Sequence, residues 1–139
     1  MIRSATEDDV ENLVEFLQEF HRKVNGTEYD LVSAESVIWE CVCNGVTIVS
    51  TTEGDITGAI LGSIVEHPFM QQRLLQEVAW YAEDNSGYNL LKAFIKVAKR
   101  IGADSVHFTV IEPVSEQAER ILTKRIGFSP LERSYLMKL

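Results

Sequence analysis

The sequence reads EVAWYAEDNSGYNLL over residues 77–91, and this stretch decides the fold. Its first six residues alternate as a β-strand does, with Val78, Trp80 and Ala82 on one face. The other face of this strand carries Glu77, Ala79 and Tyr81. The Asn-Ser-Gly that follows is typical of a turn with a helix-capping residue. From Tyr88 onward the apolar spacing becomes helical, so the stretch predicts a strand, a short loop and a helix.

The predicted helix continues to residue 101, and a further strand follows it. Its apolar stripe consists of Leu90, Leu91, Phe94, Ile95, Ala98 and Ile101. Gly102 lies where a helix C-cap is expected, and the alternating Val106, Phe108 and Val110 then predict a strand. A helix that opens directly after a glycine turn presents backbone N–H groups at the positive end of its dipole. The loop therefore predicts an anion-binding site.

Periodicity and turn residues predict the remaining elements of the chain. The further expected strands are 2–5, 46–52, 56–65, 74–82 and 105–111, with Phe128 and residues 135–137 closing the sheet. The further expected helices are one capped by Thr6, one that ends before Asn44-Gly45, and 116–126. Gly58 and Gly62 fall inside a strand, where glycine marks a bulge or the close approach of another group. This order predicts an α/β (α+β) fold in a single domain over residues 1–139.

Composition limits the classes of function. The net charge of −8 disfavours sequence-independent nucleic-acid binding, which needs clustered Lys and Arg. No apolar run is long enough to cross a membrane and no secretion signal is visible, so we expect a cytoplasmic protein without a membrane partner. Cys41 and Cys43 are too close for an ordinary disulfide and lack ligands at metal spacing, so no metal is expected.

Five short parts of the chain are informative together, namely residues 77–81, 90–93, 98–99, 102–103 and the tail 126–132. They resemble the GCN5-related N-acetyltransferase (GNAT) superfamily, particularly its small bacteriophage-encoded members. The resemblance implies a mixed, twisted central sheet flanked by about four helices, in which the two central strands part after about Ala79. It also implies an enzyme that transfers the acetyl group of acetyl-CoA to an amine on a small molecule or a protein. A phage-encoded member would act in the host cytoplasm.

The resemblance also implies a binding site for acetyl-CoA. In the family, the strand backbone holds the pantetheine arm and the loop holds the pyrophosphate. The residues at these positions are Trp80, Tyr81, Ala82, Asn85, Ser86, Gly87, Tyr88 and Asn89. The family loop usually reads Arg or Gln, two residues, Gly, one residue, Gly or Ala. Aligned on Leu90-Leu91, Ala82 and Asn85 depart from this pattern while Gly87 agrees, and a short deletion in the loop would fit as well. Glu83 and Asp84 lie where the pyrophosphate would approach, so they either repel it or stabilise the helix terminus.

Acetylation of an amine needs a group that removes a proton from the ammonium. Glu77 on the central strand and Glu66 at the end of the neighbouring strand are the candidate bases. Thr123 lies where the family often has a tyrosine that protonates the departing thiolate, and a threonine hydroxyl is far less acidic. These departures leave a second interpretation open, namely a catalytically degenerate GNAT scaffold that binds a host or structural protein. The oligomeric state is also open, with a homodimer among the alternatives.

Overall fold

The computed structural model describes residues 1–24, 28–110 and 115–139, which belong to two compact units, 1–109 and 110–139. The first unit contains β1 (Ile2–Ser4), a 3-10 turn (Glu7–Asp9), α1 (Val10–Val24), α2 (Leu31–Cys43), β2 (Val46–Thr52), β3 (Asp55–Glu66), β4 (Arg73–Ala82), α3 (Gly87–Arg100) and β5 (Ser105–His107). The second unit contains α4 (Glu116–Arg120), which continues as a π-helical segment (Ile121–Ile126). No helix in the described ranges is long and apolar enough to cross a membrane.

The five strands form one mixed sheet in the order β1-β2-β3-β4-β5. Each neighbouring pair is antiparallel except β4 and β5, which are parallel. A parallel pair needs a crossover connection, and α3 supplies it between these two strands. The predicted α/β class, the mixed sheet and the helices are therefore confirmed.

The prediction for the end of the chain is wrong. Residues 128–139 contain no strand, and the side chains of Tyr135, Leu136 and Met137 are at least four-fifths exposed. Every described strand of the sheet lies within residues 2–107, so this segment contributes no strand to it. The strand expected over 105–111 is also shorter, because β5 ends at His107. Residue 111 lies outside the described residues.

Helices pack on both faces of the sheet. On one face, α1 and α2 pack on β2 and β3, and the core there includes Leu13, Leu17, Ile38, Cys41, Val49, Ala59, Leu61 and Ala79. The neighbouring residue Gly62 points the opposite way, toward Phe94 of α3. Both faces of β3 are therefore buried, which explains why the middle of this strand is almost continuously apolar.

The two glycines of β3 make room for α3. A Cβ atom at Gly62 would lie 2.5 Å from Cζ of Phe94, and one at Gly58 would lie 2.6 Å from Oγ of Ser86. The close approach predicted from these glycines is confirmed, and the approaching group is the helix that follows β4. Glycine at these positions fixes how near the N-terminal turns of α3 lie to the sheet.

The substitution Gly62→Ala tests this packing. We expect it to lower the free energy of unfolding by about 1–3 kcal/mol, because the new methyl overlaps the Phe94 ring. Phe94→Leu in the same chain should recover part of the loss, so the double-mutant cycle in urea unfolding should show a favourable coupling. Additive effects, or a Gly62→Ala variant as stable as the parent, would contradict the proposed contact.

Candidate functional site

The candidate site begins where β4 leaves β5. The parallel pairing between the two strands covers Leu74 to Gln76 on β4 and ends at the pair of Gln76 with His107. Pairing of β4 with β3 continues to Ala82. The predicted parting of these strands is confirmed, and it occurs about three residues earlier than the expected Ala79. Beyond Gln76, this edge of β4 has no pair on β5, because β5 ends at His107.

A β-bulge at the same level of β4 changes which way its side chains point. Leu61 pairs with Ala79 and Gly62 pairs with Glu77, so Val78 is an extra residue on β4. Glu77 therefore shares the face of Gly62, which is covered by α3, whereas Ala79 lies in the core beneath α1 and α2. The predicted sharing of one face by Glu77 and Ala79 is wrong, because strict alternation fails across a bulge.

Glu77 has the most distinctive electrostatics of the candidate residues. The residue is half-buried and lies at the first position of β4 beyond the last pair with β5. Burial raises the pKa of its carboxyl to about 7, and the backbone N–H of Thr109 acts on this pKa in the opposite direction. A carboxyl group that titrates near neutral pH is suited to take a proton and release it again.

The other two candidate catalytic residues have different surroundings. Glu66 is exposed and forms an ion pair with Arg73, with 3.5 Å between Oε1 and Nε. Glu66 lies four residues along β3 from Gly62, which pairs with Glu77. At the rise of a strand this separation is about 13 Å. Thr123 belongs to the second unit, and its hydroxyl donates a hydrogen bond of 2.8 Å to the carbonyl of Glu119.

Asp84, in the loop between β4 and α3, is held by four hydrogen bonds. Its carboxylate accepts from the backbone N–H of Ser86 at 2.9 Å, from the Ser86 hydroxyl, from Thr57 Oγ1 at 2.7 Å and from Ser50 Oγ at 3.0 Å. Burial acts to raise the pKa of Asp84, but these bonds outweigh it and hold the pKa at about 2. The carboxylate is therefore directed to the strands and the helix terminus, where it stabilises the loop.

A side-chain hydrogen bond links the end of β4 to the start of α3. The Trp80 indole N–H donates to the carbonyl of Gly87 at 2.9 Å, and the Trp80 ring meets Phe108 edge-on with 5.7 Å between centroids. Gly87 does not adopt a positive φ, and a Cβ atom there would make only ordinary contacts, 3.8 Å from Trp80. A left-handed backbone therefore does not explain the glycine at this position.

Tyr81 is directed away from this loop. Its ring packs against Phe16 and Phe20 of α1, with centroids 5.3 and 5.2 Å apart, and its hydroxyl accepts a hydrogen bond of 2.6 Å from Lys23. Any ligand contact by Tyr81 at the open edge would therefore involve its backbone. At the helix, Nζ of Lys92 lies 4.6 Å from the centroid of the Tyr88 ring, which places a positive charge one turn into α3.

Comparison with known proteins gives structural matches. No family model matches the chain, and no curated protein sequence matches it. A possible acetyltransferase from Clostridium difficile 630 aligns with a TM-score of 0.76 at 14% identity, covering 100% of this chain and 97% of that one. A ribosomal-protein-alanine N-acetyltransferase from Brucella melitensis biovar Abortus 2308 aligns with a TM-score of 0.76 at 13% identity. The alignment covers 100% of this chain and 98% of that one. An aminoglycoside acetyltransferase from an uncultured soil metagenomic sample aligns with a TM-score of 0.73 at 8% identity. The alignment covers 100% of this chain and 97% of that one.

These matches show that the chain has the GNAT fold. Their sequence identities are too low to carry over a substrate or a catalytic residue. The expected resemblance to bacteriophage members gains no support from them.

The low pKa of Asp84 predicts how the stability of the fold depends on pH. Its pKa is about 2 in the folded chain against an ordinary 3.8, so its bonds stabilise the fold above about pH 4 and this stabilisation is lost as the pH falls toward 2. Asp84→Asn should therefore lower the free energy of unfolding by about 1–3 kcal/mol at pH 7. The difference in this free energy between variant and parent should narrow as the pH falls from 5 to 3. Urea unfolding at each pH measures this difference, and Asp55→Asn, at an exposed aspartate, is the matched control. A cost that is independent of pH would contradict the assignment.

Proposed function

We propose that this chain is an N-acetyltransferase that transfers the acetyl group of acetyl-CoA to an amine, with Glu77 as the base. One observation carries the proposal. A half-buried carboxyl with a pKa of about 7 lies where β4 parts from β5, on the strand that leads directly into the N-terminal end of α3. The fold shared with proteins named acetyltransferases supports the same conclusion.

The described residues fit acetyl-CoA. The backbone of Trp80–Ala82 lies beyond the last pair with β5, so this edge is suited to hydrogen-bond the amides of the pantetheine arm. The first turn of α3, including Gly87 and Asn89, offers backbone N–H groups and a positive dipole end to the pyrophosphate. The carboxylate oxygens of Asp84 are occupied by hydrogen bonds from Ser50, Thr57 and Ser86, so they do not compete for the N–H groups of the first turn of α3 beyond Ser86. When bound, acetyl-CoA supplies the acetyl group as a thioester, and an N–C bond forms as the C–S bond breaks.

Glu77 prepares the amine for this transfer. An aliphatic ammonium has a pKa of about 10, so nearly every acceptor arrives protonated and without a lone pair. The ionised Glu77 carboxylate removes one proton, directly or through one water molecule, and the neutral amine becomes a nucleophile. The carboxyl then releases the proton to solvent, which a pKa near 7 permits at neutral pH.

Replacing the base tests the proposed mechanism. Glu77→Gln should lower kcat by about 10²–10⁴-fold with any amine that the parent acetylates. The rate of the parent should rise as the pH increases through about 7, because Glu77 must be ionised, and the variant should lose this step. Release of the CoA thiol measures both, over a panel of polyamines, aminoglycosides and peptides with free N-termini.

Glu66→Gln is the matched control for this experiment. Its carboxylate is exposed and paired with Arg73, so the variant should keep the activity and the pH profile of the parent. If Glu66→Gln loses activity and Glu77→Gln does not, Glu66 is the base instead.

Gly87→Ala separates ligand binding from folding. The new methyl would make ordinary contacts, and alanine favours a helix over glycine by up to about 1 kcal/mol, so the variant should be as stable as the parent or more stable. If the pyrophosphate approaches this backbone closely, the affinity for acetyl-CoA should fall at least about tenfold, a loss of about 1.4 kcal/mol. Calorimetric titration measures this affinity. An unchanged affinity would place the pyrophosphate elsewhere.

A second candidate function is a scaffold that binds another protein without catalysis. It is favoured by the exposed apolar side chains of α2, since such a surface often marks an interaction site. The residues are Leu31, Val32, Val37 and Trp39, which are 45–79% exposed. Under this alternative, acetyl-CoA would not bind at millimolar concentration, and Val32→Asp would reduce binding to a partner without changing stability.

A further inference from the structure

We propose that the groove between α1 and α2 is a docking site for a cationic amphipathic segment of another protein. The inference goes beyond the proposed function and holds for an enzyme and for a scaffold alike. α1 and α2 cover one face of the sheet and α3 packs on the other. An occupant of the groove therefore leaves the first turn of α3 free.

The groove has an apolar surface that the described residues leave uncovered. Its volume is about 560 Å³, and its apolar lining residues are Val10, Val14, Leu31 and Trp39. Val10 is buried and Val14 half-buried, whereas Leu31 and Trp39 are 54% and 45% exposed. The two exposed side chains lie eight residues apart on α2 and so share one side of this helix. An apolar side chain of a partner that entered the groove would remove them from water.

The same groove carries four carboxylates, and its described lining includes no Lys or Arg. The carboxylates are exposed and belong to Glu7, Asp8, Glu11 and Glu35. In the described ranges, the ion pairs use the carboxylates of Asp9, Glu19 and Glu66 instead. Glu7 has a contact of 3.9 Å with the Cys43 thiol, which is a weak donor and brings no positive charge. The negative charge of the groove is therefore not balanced by ion pairs among the described residues.

Helix dipoles explain only part of this set of carboxylates. Glu7 and Asp8 lie in the 3-10 turn that leads into α1, and Glu11 lies in the first turn of α1. Carboxylates at these positions stabilise the helix terminus. Glu35 lies beyond the first turn of α2, midway between Leu31 and Trp39, where the dipole has little effect. A carboxylate between two exposed apolar side chains matches a partner that presents positive charge beside an apolar anchor.

Charge also selects the occupant of the groove. The chain has a net charge of −8, so a second copy is repelled at long range and a cationic partner is attracted. The same charge disfavours a nucleic acid and an anionic membrane. A groove between two helices suits a third, amphipathic helix, whose apolar side enters the groove. Its Lys or Arg side chains then reach the carboxylates at the rim.

Two synthetic peptides test the groove without knowledge of the natural partner. Both have about 15 residues, the length at which an isolated helix begins to be stable, and both carry leucine at the same positions. One has lysine and the other glutamate at the remaining positions. In calorimetric titration the lysine peptide should bind with an affinity that falls as salt rises, and the glutamate peptide should not bind. In ¹⁵N-labelled protein, the amides that shift should lie in residues 7–14 and 31–39.

Two variants connect this binding to the groove. Trp39→Ala should weaken the affinity for the lysine peptide at least about tenfold, because it removes the exposed aromatic anchor. Glu35→Gln should weaken it about threefold or more at low salt. Glu15→Gln is the matched control, since it removes the same charge from an exposed site on α1 outside the groove, and it should have a much smaller effect.

Equal losses in Glu35→Gln and Glu15→Gln would show general attraction to an acidic surface and would overturn the proposal. Absence of binding, or amide shifts outside the groove, would overturn it as well. Sedimentation of the free protein tests a second copy as the occupant, and a dimer that Trp39→Ala dissociates would also contradict the proposal. If Trp39→Ala does not fold, the two glutamate variants still decide. None of these measurements uses acetyl-CoA, so they are independent of the proposed function.

Discussion

The constraint on which the site depends is that β4 has two neighbours but keeps only one of them along its full length. It stays paired with β3 to Ala82 and leaves β5 after Gln76. The bulge at Val78 adds an extra residue at this level, and bulges locally increase strand twist. The end of this pairing leaves the edge of β4 that is proposed for pantetheine, and Glu77 is the first residue beyond it. It also directs the end of β4 into the loop that begins α3.

Two carboxylates on this strand and loop have opposite environments. Asp84 accepts four hydrogen bonds, which hold its pKa at about 2, so it is a permanent negative charge that fixes the loop. Glu77 is more deeply buried than Asp84, and burial raises its pKa to about 7. Environments that separate the pKa values of similar groups are a general means of assigning them different roles. Here one carboxylate stabilises structure, and the other is able to exchange a proton.

Local patterns made much of the fold predictable. The change of period after Tyr88 located α3, and the two glycines of β3 indicated the close contact with it, because both signals depend on neighbouring residues. The partners of Asp84 were not visible in the sequence, since Ser50 and Thr57 lie about 30 residues away on β2 and β3. The bulge at Val78 likewise depends on pairing with β3 and leaves no local signal. Glu77 could be named as a candidate base from its strand, but its burial could not be predicted.

The most direct test of the account is a titration of ¹⁵N-labelled protein with acetyl-CoA, followed by backbone amide chemical shifts. The account predicts that the largest shifts are confined to Trp80–Ala82 and to Gly87 and Asn89 at the start of α3, and that the amides of α2 are unaffected. No shift at millimolar acetyl-CoA, or shifts confined to Leu31–Cys43, would contradict it.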